Sequence, residues 1–145
     1  MLAPVNNWFI WALLSAVFAA LTAILAKVGV ADINPNLATA IRTTVILVIT
    51  WALALATNNK ADWSAIDARA WWFLVGSGLM TGLSWLCYFR ALKLGDVAKV
   101  APVDKLSVAI AILLAVLFLG ERLRAQEAIG AALIVLGVVV MVVKF

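Results

Sequence analysis

The chain has 145 residues, of which 67% are hydrophobic and 12% charged, and its mean hydropathy is +1.15. A soluble domain is about half apolar and about a quarter charged, so this composition excludes a soluble fold, which could not cover its own core. The net charge of +4 comes from basic residues scattered between apolar runs, and that scatter excludes a nucleic-acid patch, which needs them clustered on one face.

The first long apolar run extends from about Trp8 to Val28. About 20 helical residues are needed to span about 30 Å of hydrocarbon, so this run is long enough to cross a bilayer. It lacks a basic leading region and is too long for a signal sequence, so it reads as a mature helix. Ser15 and Thr22 are seven residues apart and share a face. Their hydroxyls either bond back to their own helix or face a polar cavity. Lys27 closes the run, as a snorkelling anchor or as part of a charged mouth.

Asp32-Ile33-Asn34-Pro35-Asn36 is a turn with a helix start at its proline. The second run covers about Leu37 to Ala56 and contains Arg42 about five residues inside it. An ionisable group at that depth is by default a functional candidate. Residues 57 to 70 form the long polar link, where Ser64 and Asp67 have the spacing of a capping box. That spacing predicts a short lead-in helix before the third run.

The third run, about Trp71 to Leu92, is rich in glycine. Gly78 and Gly82 make a GxxxG spacing, which lets another helix approach closely. Trp85 and Tyr88 follow, three residues apart on one face. They read as lipid-belt residues or as cavity lining. Gly95-Asp96 closes a tight turn.

The fourth run poses a question of length. From Leu106 to Leu119 there are 14 residues, about 21 Å of helix, which cannot cross. A span must therefore start near Ala98 and take in the stretch APVDKLS, with Pro102 in its first turns. Asp104 and Lys105 are then one to two turns deep. Neighbouring positions point roughly 100° apart, so the two are expected to face different partners and not each other. They cap and snorkel, or they line a polar vestibule. Gly120 ends this span and Glu121-Arg122-Leu123-Arg124 makes a short charged hairpin. The fifth run covers about Gln126 to Val143, with Gly130 and Gly137 one heptad apart. It reads as a helix-packing seam, within the chain or between protomers.

The fold expected is thus an all-α, five-span integral membrane domain over residues 1–145. Trp8, Trp11, Trp51, Trp63, Trp71 and Trp72 lie near its helix ends, as an aromatic belt at the lipid boundary requires. Five spans put the termini on opposite sides. Lys60, Arg69, Arg122 and Arg124 fall on the side of the N-terminus; Arg90, Lys93, Lys99 and Lys144 fall on the other. Lys27, Arg42 and Lys105 also lie toward that second side, within helix ends; on the loop and terminal residues, four against four gives the positive-inside rule no direction. One orientation then wins through partners or insertion order, or the protein inserts both ways. In the second case an antiparallel homodimer would have ten helices in two inverted halves, an architecture known among secondary transporters.

Chemistry narrows the function further. Cys87 is the single cysteine and histidine is absent. Neither a disulfide nor a thiolate zinc site fits within one chain. There is no Ser-His-Asp set, no HExxH and no phosphate-binding glycine loop. No catalytic role, cofactor or metal is expected. The partners expected are the lipid bilayer, a second copy of the chain and an unidentified small-molecule solute.

The order YFRALKLGDVAKVAPVDKLS, then LAVLFLGERL, then IGAALIVLGVVVM resembles the EamA family of the drug/metabolite transporter superfamily, in particular its single-repeat, five-helix bacterial members. The resemblance covers essentially the whole chain and is most specific at Tyr88 to Leu94, Ala101 to Leu106, and Gly120-Glu121-Arg122 with Gly130. Longer family members carry two such repeats in inverted orientation around a central cavity. The resemblance implies a small-metabolite transporter of the bacterial cytoplasmic membrane, working as a dimer. A non-transporting membrane subunit and a flippase of lipid-linked substrates remain as alternatives. Asp104, Lys105, Arg42, Lys27, Trp85, Tyr88, Ser15 and Thr22 are the cavity candidates.

Overall fold

A computed structural model describes residues 7–57 and 66–143. Among them the chain is helical and no strand occurs. The elements are α1 (Asn7–Val30), α2 (Pro35–Thr57), α3 (Ala68–Leu94), α4 (Val97–Asp104), α5 (Leu106–Leu114), a π-helical turn (Ala115–Leu119) and α6 (Ala125–Val142). Five stretches are long and apolar enough to cross a bilayer: Trp8–Val30, Pro35–Thr57, Ala68–Leu94, Val97–Leu119 and Ala125–Val142. The third is longer than the hydropathy alone suggests, since its helix runs on to Lys93 and Leu94. The expected lead-in helix at Ser64 lies outside the described residues.

Most large apolar side chains face outward. Trp72 is 79% exposed and Phe118 81%. In water that surface would drive aggregation; against acyl chains it costs nothing, because lipid is as apolar as the side chains themselves.

The chain divides into two compact units after Leu94. In the first, α3 packs against both α1 and α2. Its interior is made of Ala23, Ala26 and Val30 from α1, Ala38 and Thr39 from α2, and Phe89 and Leu92 from α3. Alanines at the contact let the backbones come close while Phe89 and Leu92 fill the space between. The α1–α2 connection is short because Asn34 starts the next helix. Its Oδ1 accepts the Asn36 backbone N–H at 2.8 Å, and Pro35 takes the first helical position, where a missing N–H is harmless. Thr39, Thr43, Thr44, Thr50 and Thr57 donate their hydroxyls to the carbonyl four residues back. The threonine hydroxyls of α2 are thereby satisfied without water.

In the second unit, α6 packs against α4 and α5. The fourth span includes APVDKLS, as its length demands, but it is not one continuous α-helix. Pro102 has no N–H to donate. Three residues later the Lys105 N–H bonds to the Pro102 carbonyl at 3.0 Å, and the Val108 N–H bonds to the Lys105 carbonyl at 3.0 Å. Both are i to i−3 bonds, a local 3₁₀ tightening that keeps the backbone paired across the proline. Lys105 itself has φ −71° and ψ −8°, and the α-helical ladder restarts at Leu106. At its far end the span widens into the π-turn. The Glu121 N–H reaches the Ala115 carbonyl at 3.3 Å, around Gly120 in the left-handed conformation at φ 68°.

The glycine seams are not used inside the protomer. A Cβ added at Gly78, Gly82, Gly130 or Gly137 would meet nothing within 4 Å. The close approach that their spacing permits does not occur there, because the first unit packs through alanines and Phe89. Gly120 is different, since its requirement is conformational and an L side chain costs about 1–2 kcal/mol in the left-handed region. Gly120→Ala should therefore destabilise the protein by about 1 kcal/mol, read as a lower melting temperature in detergent. In detergent conditions where the chain is monomeric, Gly78→Ala should not lower stability, because an added Cβ meets nothing there.

Candidate functional site

Arg42, half-buried on α2, is the charged side chain around which the first unit's candidate site is arranged. It lies seven residues after Pro35, about 10 Å along α2. Its guanidinium carbon sits over the Trp85 ring at 4.2 Å from the centroid, and 5.5 Å from the centroid of Phe89. Trp85 and Phe89 are one turn apart on α3, so their rings make a continuous apolar wall. Phe89 did not stand out in the sequence. The signal was its spacing of four residues from Trp85, hidden because phenylalanine is ordinary in an apolar run.

Magnitudes show what this arrangement leaves undone. An arginine at membrane depth costs about 3 kcal/mol on insertion scales. A cation–π contact returns about 0.5–2 kcal/mol. Two such rings offset a large share of that cost and orient the guanidinium, and its N–H donors are left to engage polar groups.

A cavity of about 330 Å³ opens at this point. Arg42 and Thr22 are the polar side chains lining it; Leu25, Ile33, Ile41 and Phe89 supply much of its apolar wall. Its size falls at the small end of the range for small-molecule sites, about 300–1,000 Å³. Of the residues singled out in the sequence, the structure brings Arg42, Thr22 and Trp85 together. Tyr88, half-buried one residue before Phe89, joins them near enough to Arg42 to interact with it electrostatically. Ser15 is exposed and lies seven residues, or about 10 Å, before Thr22 along α1, away from the lining of the cavity.

Lys27 has a structural task. Its Nζ donates to the Leu92 carbonyl at 2.7 Å, which ties the end of α1 to the C-terminal turn of α3. A cation there also meets the negative end of the helix dipole. From α3, Lys93 Nζ donates to the Ile33 carbonyl at 2.6 Å. The two lysines clamp the open end of the three-helix unit, one in each direction.

In the second unit, Asp104 and Lys105 bind each other. Lys105 Nζ lies 3.1 Å from Asp104 Oδ2. The expectation that they face different partners is thus corrected. It assumed an unbroken helix and a stiff side chain, whereas the ladder breaks at Lys105 and its four-carbon stem swings the ammonium back. A second cavity of about 550 Å³ is bordered by Val108, Ile112 and Val116 on one side and Glu121, Arg122 and Glu127 on the other. Glu127 Oε2 accepts the Arg124 backbone N–H at 2.9 Å and so starts α6. Among the described residues no group of His, Cys, Asp and Glu side chains could hold a metal ion.

The helices and their outward apolar surface define a multi-pass membrane protein. The EamA-like transporter family matches residues 6–143, and the chain belongs to that family. It is also 55% identical over 138 residues to an uncharacterized transporter in the cobO 3′ region of a Sinorhizobium species, covering 95% of this chain and 98% of that protein. No solved structure matches it significantly.

Lys27→Met removes a charged hydrogen bond to a partly buried carbonyl, which should cost about 1–2 kcal/mol. Lys93→Met should cost less, because its bond is exposed. Thermal unfolding of both variants in detergent tests the ranking.

Proposed function

We propose that the protein carries a small metabolite across the bacterial cytoplasmic membrane by alternating access, as a ten-helix antiparallel homodimer. The observation that supports this best is the open, solute-sized groove on the first unit, with Arg42 held over Trp85 in a membrane-spanning helix. A charged group placed so expensively is best understood as serving a solute. Family membership supports transport and a non-enzymatic role.

The dimer follows from two further features. Basic residues of the loops and chain ends balance between the two sides, which permits insertion in both orientations. The glycine faces of α3 and α6 are each open within their own unit, so a second copy has room for close approach. An inverted pair would place one cavity toward each side of the membrane, as alternating access requires. The discontinuity at Lys105, with its Asp104–Lys105 pair, supplies a break in a spanning helix of the kind found in transporters.

Labelling of a cysteine placed at the N-terminus should report both membrane faces, and protomers with opposite termini should crosslink. Labelling from one side alone would remove the antiparallel dimer. In liposomes, Asp104→Asn should lower solute flux at least tenfold with assembly unchanged. Full flux by this variant would remove Asp104 from the mechanism. A stable complex with another membrane protein, together with no flux of any solute, would favour the scaffold role.

A further inference from the structure

We infer that the Arg42 cavity selects small amphipathic solutes bearing a carboxylate, with the guanidinium binding the anion and the apolar wall holding a short hydrocarbon body. This deepens the transport proposal and rests on its reading of the cavity as the solute site.

The inference starts from what Arg42 lacks. Among the described residues no carboxylate forms an ion pair with it; the two ion pairs present are Lys99 with Asp96 and Lys105 with Asp104. Its contacts with Trp85 and Phe89 use the charge of the guanidinium. They do not use its N–H donors. Those five donors form a planar fork that matches a carboxylate with two parallel hydrogen bonds. Tyr88 is the one titratable group that interacts electrostatically with it among the described residues; a fork oriented on an aromatic ring at membrane depth, with no carboxylate paired to it there, is prepared for an anion and repels a cation.

The rest of the cavity sets the other half of the solute. Of the nine residues lining it, Thr22 and Arg42 have polar side chains. Leu25, Ile33, Ala38, Ile41 and Phe89 favour an apolar body at about 25 cal/mol per Å² of buried surface. The volume of about 330 Å³ limits that body to a short chain or one ring. A highly polar anion such as inorganic phosphate would leave this wall unmatched.

Binding to the full chain in nanodiscs of phosphatidylcholine tests the assignment, with hexanoate, hexanamide and hexylamine as probes and calorimetry as the readout. Empty discs correct for partitioning into lipid. Hexanoate should bind at least tenfold more tightly than hexanamide, as expected for a charge-assisted hydrogen-bonded pair, and hexylamine should bind least. Arg42→Gln should bring hexanoate down to the level of hexanamide. Arg42→Lys, which keeps the charge but not the fork, should retain part of the preference and covers the case in which the glutamine variant does not fold. Equal binding of hexanoate and hexanamide by the natural chain, or unchanged hexanoate binding by both variants, would overturn the inference.

A lipid headgroup is the other source of an anion. Phosphatidylglycerol is added to the discs at physiological ionic strength, where surface charge is screened beyond about 8 Å. Hexanoate affinity should persist. Its loss would assign the guanidinium to a lipid phosphate and overturn the solute reading. The two proposals fail separately because binding is measured without flux. A chain that binds hexanoate and moves no solute refutes transport alone. One that transports but shows no preference for carboxylates refutes this inference alone.

Discussion

Hydrocarbon offers no hydrogen bonds, and this constraint accounts for most of the structure. Each backbone N–H and C=O at membrane depth must find its partner inside the protein. Long helices satisfy that demand locally, so the chain builds five of them. The exceptions obey the same rule. Where the α-helical ladder breaks at Lys105, two i to i−3 bonds keep the Lys105 and Val108 N–H groups paired. At Gly120 a left-handed residue lets the Glu121 N–H reach back to Ala115. The threonines of α2 return their hydroxyls to their own helix.

The same medium makes charge costly, and the charged residues sort by how that cost is met. Lys27 and Lys93 donate to carbonyls exposed at a helix end and in a connection. Lys105 pairs with Asp104. Arg42 has aromatic rings beneath it and a cavity beside it. Lysine suits the first tasks, since an ammonium on a flexible stem can reach one oxygen. A planar, permanently charged guanidinium suits the last, because it can lie against a ring and still present its donors.

Packing in the first unit rests on modest means. Its interior is a few alanines with Val30, Phe89 and Leu92, closed at one end by the two lysine bonds. A thin interior of this kind leaves room for a cavity beside Arg42. The glycines of α3 and α6, by contrast, lie on faces that no helix of their own unit approaches within 4 Å of an added Cβ. Small residues therefore differ in use within a unit: alanine brings the helices of the first unit together, and these glycines leave their faces uncovered.

Much of the fold was legible in the residues alone, since crossing a bilayer is a matter of length and apolarity, which a linear sequence displays directly. The counting that moved APVDKLS into the fourth span is of this kind, and so are the helix start at Pro35 and the stop at Gly120. Arg42 was also legible as a candidate, because a charge inside an apolar run stands out. Its partners were not. Phe89 looks like any lipid-facing residue until α2 and α3 are packed, and only then does it join Trp85 under the guanidinium. The Asp104–Lys105 pair was hidden for a similar reason: ideal helical angles forbid it, and a local break with a flexible side chain creates it. Sequence alone determined which segments enter the membrane and which charges go with them. Tertiary structure decided which of those charges are satisfied and which is left facing a cavity, because pairing depends on distances between helices that no spacing along one helix contains.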